Sequence, residues 1–252
     1  MQEYSFFLSA MPQSAASRRA PPVVMTRFDP EAQPWESASQ GLLSLPADLL
    51  EPAALRGVLR IPPPPGWIWS QGDGVLLRPL PDEAQFEPVQ AAVLIPLVMR
   101  GDGLHVMLTR RAGHLRDHPG QISFPGGRME PFDVDTTATA LRETEEETGL
   151  GSEFIEVLST LPAYQTISGY VVTPVVALVR PGFEVRIDPD EVESVFEVPL
   201  AFLMDPANHR LHRFTPPDGQ ARRYYSMPWG EYFIWGATAA MLRNLYRRLS
   251  AA

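Results

Sequence analysis

Two residue types are missing from this chain. It contains no cysteine, and all 21 of its basic residues are arginine, so lysine is absent as well. Without cysteine there is no disulfide framework, no thiol nucleophile and no thiolate-held zinc or iron–sulfur centre. Positive charge is also in short supply, because 30 acidic residues outweigh the arginines and leave a formal charge of −9. That balance argues against sequence-blind nucleic-acid binding, which needs a net basic face. No run of residues reaches the ~18 apolar positions of a membrane span. The opening YSFFLSAM is apolar but carries Glu3 and no basic residue before it, which is a poor match to a signal peptide. A cytoplasmic protein is expected, with no membrane partner and no nucleic-acid partner.

What is present is ordinary globular material. Apolar residues make up 44% of the 252 positions and charged residues 20%, so the chain can bury roughly 70% of its unfolded surface in one or two domains. Proline divides it. Fourteen of the 27 prolines precede residue 91, including Pro62 to Pro65, and such a run enters neither a helix nor a central strand. Residues 1–40 lack periodicity and are expected to form a disordered arm. Residues 41–87 read as a proline-rich extension laid over the main domain, with short helical turns in ADLLEPAALRGVL and tryptophans in GWIWS that need a surface to pack on. A main domain is expected over 88–250.

In that domain AAVLIPLVMR (91–100) and LHVMLTRR (104–111) flank Gly101-Asp102-Gly103 and read as a β-hairpin. Helix formers over 136–148 end at Gly149, the usual residue just past a helix. FIEVLSTLPAY, YVVTPVVALVR and FEVRI are further strand candidates, EVESVFEVPLAFLM reads as a strand and a helical turn, and 233–249 has helical spacing. Strands interleaved with two long helices point to an α/β fold with a mixed β-sheet between helical layers.

The helix over 136–148 carries the chemistry. Glu143, Glu146 and Glu147 stand at i, i+3 and i+4 and so share one face. Neighbouring carboxylates repel one another unless a cation sits among them, and hard divalent ions such as Mg2+ or Mn2+ favour such an oxygen-only environment. Arg142 can brace Glu146 one turn on. Before the helix, His105 to Arg128 hold four arginines and one aspartate, a local charge of +3. The next stretch, 129–150, holds seven carboxylates and one arginine, a local charge of −6. A basic strip beside an acidic one suits metal-assisted cleavage of a diphosphate: one grips phosphates and the other holds metal. A general base must still be found. Glu146 in the helix and Asp190, Glu191 and Glu193 in DPDEVESVFEVPL are the candidates.

Other groupings are weaker. His114 and His118 are four apart, but Gly113, Pro119 and Gly120 disfavour the helix that a zinc pair needs. Thr166 and Ser168 have no positioned histidine for a hydrolase triad. Tyr224, Tyr225, Trp229, Tyr232 and Trp235 read as core or homodimer packing, one of them free to stack on a base.

These residues resemble the Nudix hydrolase box: glycine, five residues, glutamate, seven residues, then Arg-Glu-apolar-x-Glu-Glu-x-Gly-apolar. Gly127, Arg142, Glu143, Glu146, Glu147, Gly149 and Leu150 match. The chain departs from the pattern with Asp133 in place of the first glutamate, one extra residue before the helix, and Thr144 in place of an apolar residue. Upstream, Leu108-Thr109, Arg111-Ala112, Arg116, Gly120 and Phe124-Pro125-Gly126-Gly127 look like the signature of the coenzyme A pyrophosphatase branch. The resemblance implies a Nudix-type α/β/α sandwich, with a metal site on Glu143, Glu146, Glu147 and Gly127. It implies catalytic roles for Glu146, Arg142 and Glu193, although the spacing does not separate Glu193 from Asp190 and Glu191. Substrate contacts are expected from Arg111, Arg116, Gly120, Phe124, Gly126 and Gly127, with Arg110 and Arg128 nearby. The implied reaction converts a coenzyme A-class nucleotide to 3′,5′-ADP and 4′-phosphopantetheine. The alternatives are hydrolysis of another nucleoside diphosphate such as ADP-ribose, or a non-catalytic nucleotide-sensing module.

Overall fold

The computed structural model of the protein describes residues 28–62, 88–166, 168–215 and 221–251. In chain order the elements are β1 (Trp35–Ser37), α1 (Pro52–Arg60), β2 (Val89–Arg100), β3 (Gly103–Arg111), β4 (Ile122–Ser123), β5 (Gly126–Arg128) and α2 (Thr136–Thr148). They continue with β6 (Ile155–Thr160), β7 (Tyr164–Gln165), β8 (Tyr170–Val179), β9 (Val192–Pro199), α3 (Leu200–Leu203), β10 (Arg210–Phe214), β11 (Arg222–Ser226) and α4 (Gly236–Leu249).

The main sheet is mixed. β2 runs parallel to β8 over ten paired positions, while β3, β9 and β6 are added antiparallel. The β2–β3 hairpin closes at Arg100↔Gly103 and stays paired only as far as Leu97↔Val106. Beyond that point the two strands part, and residues 122–128 fill the gap. β4 pairs with Thr109 and Arg110 of β3, and β5 pairs with Ala91 to Val93 of β2. This wedge fixes Gly126 and Gly127 inside the sheet at the place where α2 crosses it.

Side-chain alternation along β2 serves two layers. Ala92, Leu94 and Val98 face α2 with Ala140, Met107, Leu150, Val175, Ala177 and Val179. Ala91, Ile95 and Leu97 face the opposite side, in a core with α4 and α1. The layers therefore run α2, sheet, α4 with α1, which is the α/β/α arrangement expected from the sequence. α2 begins at Asp135, whose side chain accepts from the Ala138 N–H at 2.8 Å, and ends at Gly149 in the left-handed region (φ 72°). Its core face is threonine-rich. Thr144 is fully buried and donates its hydroxyl to the Ala140 carbonyl at 2.6 Å, so it presents a methyl group where the family pattern has an apolar residue.

The N-terminal segment differs from the expected loose arm. Residues 28–40 include β1, which pairs with β10 and, through it, β11 in a second small sheet. Leu55 and Leu59 of α1 are buried in the main core, each contributing about 1.5–3 kcal/mol. Donors on the domain capture carbonyls of the segment. Tyr224 donates to Pro30, Arg243 to Ala38, Tyr246 to Leu43, and Arg248 to Val58 and Ile61. Residues 1–27 and 63–87, with GWIWS among them, lie outside the described residues. The FEVRI segment is not a strand: Arg186 and Asp188 donate their backbone N–H groups to the Thr148 and Glu147 carbonyls. The segment thus satisfies the end of α2 rather than a sheet edge.

Candidate active site

The wedge and the helix meet at two glycines. A Cβ on Gly127 would lie 2.5 Å from the Glu143 carboxyl carbon, and one on Gly126 would lie 2.4 Å from the Ala92 carbonyl oxygen. Only glycine lets both contacts form. Gly126 donates its N–H to Glu147 Oε2 at 3.2 Å. Burial pushes the Glu147 carboxyl up to about 8, opposed by that N–H and by Arg111, and reinforced by Glu191 and Glu143. Burial also raises Glu143, with Arg142 opposing it and Glu146 and Glu191 adding to the rise. Both carboxyls are thus costly to ionise without a cation beside them, a mark of functional carboxylates.

Arg142 organises the outer half of the face. Its guanidinium donates to Glu146 at 2.9 Å, lies 2.9 Å from Glu143, and reaches the Arg128 carbonyl at 3.1 Å. It also grips Asp133 with two bonds, and the Asp133 carboxylate accepts further bonds from the Glu130 N–H and the Thr139 hydroxyl. Asp133, the departure from the family pattern, is therefore the anchor of Arg142. The arginine holds its carboxyl far below the usual range. Among the described residues no three His, Asp or Glu side chains converge on one point to form a closed ion cage, since Glu143 and Glu146 are drawn to Arg142. The donor set still fits a hard divalent cation: oxygen-only, charge-rich, and with Gly127 leaving space against the Glu143 carboxylate.

The structure separates the two strand arginines. Arg111 acts on Glu147 from the α2 side of the sheet. Arg110 stands on the opposite face, 3.8 Å from both Glu193 and Glu231 and with its guanidinium 5.0 Å from the centroid of the Tyr232 ring. A bulge in β9 causes the matching split among the acidic candidates. Arg110 pairs with Ser194 but Arg111 with Val192, leaving Glu193 as the extra residue. Glu193, expected in the catalytic set, is accordingly turned to Arg110, while Glu191 is the loop carboxylate that raises Glu143 and Glu147. The sequence had offered Glu191 only as one of several candidates.

Arg116 lies exposed on the 112–121 loop, and Gly120 (φ 69°) closes that loop by donating to the Arg111 carbonyl at 3.1 Å. The loop is stitched to the acidic one: Ala112 donates to the Glu191 carbonyl at 2.9 Å, and His114 Nε2–H donates to the Asp190 carbonyl at 3.1 Å. Phe124 departs from its expected substrate contact. Its ring is 2% exposed within the main core, so it supports the wedge instead.

A NUDIX domain model matches residues 88–217. The chain is 40% identical over 174 residues to "Uncharacterized Nudix hydrolase NudL" of Enterobacter sp. (strain 638), covering 68% of this chain and 88% of that protein. It is 42% identical over 175 residues to the protein of the same name from Escherichia coli O1:K1 / APEC, with the same coverage. Among solved structures, a Nudix hydrolase from M. smegmatis, RenU, matches with a TM-score of 0.40 and 20% identity, over 54% of this chain and 81% of that one. On the domain match and the two relatives that are 40% and 42% identical, the chain belongs to the Nudix hydrolase family.

Proposed function

We propose that the protein is a divalent-metal-dependent diphosphatase acting on coenzyme A or its derivatives, releasing 3′,5′-ADP and 4′-phosphopantetheine or its acyl form. The observation that carries the reading is the join between two strips. The segment 108–127, which resembles the coenzyme A pyrophosphatase signature, leads directly into the glycines that touch Glu143 and Glu147, and its Arg111 acts on Glu147.

In this reading Glu143, Glu146 and Glu147, beside Gly127, hold Mg2+ or Mn2+. Held there, such an ion would supply Lewis acidity toward a phosphoryl oxygen and would acidify a water. Arg111 and Arg116 bind substrate phosphates, to which the arginine fork is well suited. Glu191 accepts the proton of the attacking water. An oxygen–phosphorus bond forms as the bridging oxygen–phosphorus bond breaks, and the departing phosphate carries the electron pair. Arg142 is engaged by Asp133, Glu143, Glu146 and the Arg128 carbonyl. It is a positioning residue that sets the carboxylates of Glu143 and Glu146.

The test is a product assay of purified protein with Mg2+ or Mn2+ against coenzyme A, its disulfide, an acyl thioester, dephospho-coenzyme A and ADP-ribose. Formation of 3′,5′-ADP at the highest kcat/KM is the expected result. Preference for ADP-ribose would replace the substrate class, and binding without cleavage would replace the enzyme by a sensing module.

A further inference from the structure

Two apolar side chains beside the carboxylate face have no place in the core. Phe132 is 71% exposed and Val134 is 88% exposed, and both flank Asp133. That aspartate is held by two bonds from Arg142, one from the Glu130 N–H and one from the Thr139 hydroxyl, while its own N–H donates to the Glu130 carbonyl at 3.0 Å. A loop pinned at its middle residue cannot easily fold its neighbours inward. Phe132 and Val134 are therefore presented in fixed positions, and such preorganisation lowers the ordering cost of a contact.

The place of Phe132 relative to the chemistry is set by Arg142, and Val134 follows two residues on in the same pinned loop. The Phe132 ring centroid lies 5.4 Å from the Arg142 guanidinium carbon, and that guanidinium meets Glu143 and Glu146 at 2.9 Å. Glu147, next to Arg111, lies five residues further along α2, about 7 Å along the axis. The order across the site is thus arginine strip, carboxylates, then Phe132 on the loop that also carries Val134. A diphosphate laid over the carboxylates with its phosphorylated nucleoside at the arginines would send its other arm over Phe132 and Val134.

We infer that Phe132 and Val134 select the non-nucleotide arm of the substrate by packing on an uncharged, branched alkyl group next to the diphosphate. This rests on the proposed function, and coenzyme A meets the requirement: the carbon beyond its diphosphate methylene bears two methyl groups. A highly polar arm, such as a second ribose, gains nothing from the pair.

The experiment compares coenzyme A with the methyl ester of 3′-phosphoadenosine 5′-diphosphate, which keeps the nucleotide half and lacks the arm. In the double variant Phe132→Ser, Val134→Ser, the ratio of kcat/KM for coenzyme A to that for the ester should fall about fivefold to fiftyfold, mainly through KM. Phe132→Leu, which keeps the apolar surface but not the ring above Arg142, should retain most of the parent ratio. An unchanged ratio in the double variant overturns the inference and leaves the proposed function standing. So does a Phe132→Leu protein as impaired as the double variant, because the ring would then act by positioning Arg142. Wild-type protein that cleaves neither compound refutes the proposed function, and the inference with it.

Discussion

Asp133 and Arg142 are joined by two parallel hydrogen bonds, Nε to Oδ1 at 3.0 Å and Nη2 to Oδ2 at 2.9 Å. The fork leaves Nη1 free to meet Glu143 and Glu146. Arg142→Lys keeps the charge but cannot reproduce this geometry. It should lower kcat about tenfold to a hundredfold with a smaller change in KM. Asp133→Asn should act in the same direction, and steady-state kinetics of both variants would check this. A parental kcat in Arg142→Lys would remove the positioning role.

Glu147 is costly to keep ionised in the metal-free protein, because burial raises its pKa to about 8. With chelator present near neutral pH, Glu147→Gln should melt at a higher temperature than the parent. On adding Mg2+ or Mn2+ the parent should gain more than the variant, since ligand binding stabilises the state that binds it. Turnover of Glu147→Gln and Glu143→Gln should fall by at least about two orders of magnitude. Differential scanning fluorimetry with and without metal separates the two effects.

The bulge at Glu193 gives a sharper contrast. Glu191→Gln should reduce kcat by about two to four orders of magnitude, as loss of a general base does. Glu193→Gln, whose carboxylate faces Arg110 on the far side of the sheet, should stay within a few-fold of the parent. Equal losses in the two variants would mean that the β9 register does not divide their roles.

Arg111 and Arg116 should show themselves in kcat/KM. A charge-assisted bond to phosphate is worth roughly 1.5–3 kcal/mol, so each alanine variant should lose about tenfold to a hundredfold on coenzyme A. If one of them holds the 3′-phosphate, its variant should discriminate little between coenzyme A and dephospho-coenzyme A. Arg110→Ala is expected to affect both substrates weakly.

His209 supplies a pH dependence far from the chemistry. It is fully buried, with Nε2–H donating to the Leu203 carbonyl at 2.8 Å and Nδ1 accepting from Arg243 at 2.6 Å. Burial lowers its pKa to about 4, and Arg243 pushes it further down. The unfolded chain binds a proton near pH 6.5 that the folded chain refuses until about pH 4. Stability from this group is therefore intact above pH 6.5 and is lost as pH falls, by about 3 kcal/mol at pH 4. Thermal midpoints across this range should fall less steeply in His209→Asn than in the parent.

Much of this site was legible because its signals are local. The glutamates at i, i+3 and i+4 and Gly149 announce the face and the end of α2, and helical spacing needs no partner to be read. The turning of Glu193 to Arg110, away from Glu191, was not legible. It depends on one extra residue in β9 opposite Arg111, and no pattern within β9 discloses which residue a neighbouring strand will skip. FEVRI misled for a related reason: its alternation suits a strand, but its N–H groups are taken by the end of α2. Phe124 follows the same rule, since a signature residue can be retained for packing as readily as for contact.

Beyond the two leucines of α1 that enter the core, the N-terminal segment is held by its main chain. Pro30, Gln33, Ala38, Leu43, Val58 and Ile61 each offer a carbonyl, and the donors are His212, Tyr224, Arg243, Tyr246 and Arg248 of the domain. Every residue type has a carbonyl, so these six positions can exchange side chains without losing a bond. Mutational tolerance should therefore be lopsided across the contact. Substitution at Ala38 or Leu43 should be nearly silent, whereas Arg243→Met or Arg248→Met should loosen the whole segment. Over long divergence the exposed ones among these positions can drift in sequence while the path of the segment over the domain stays the same.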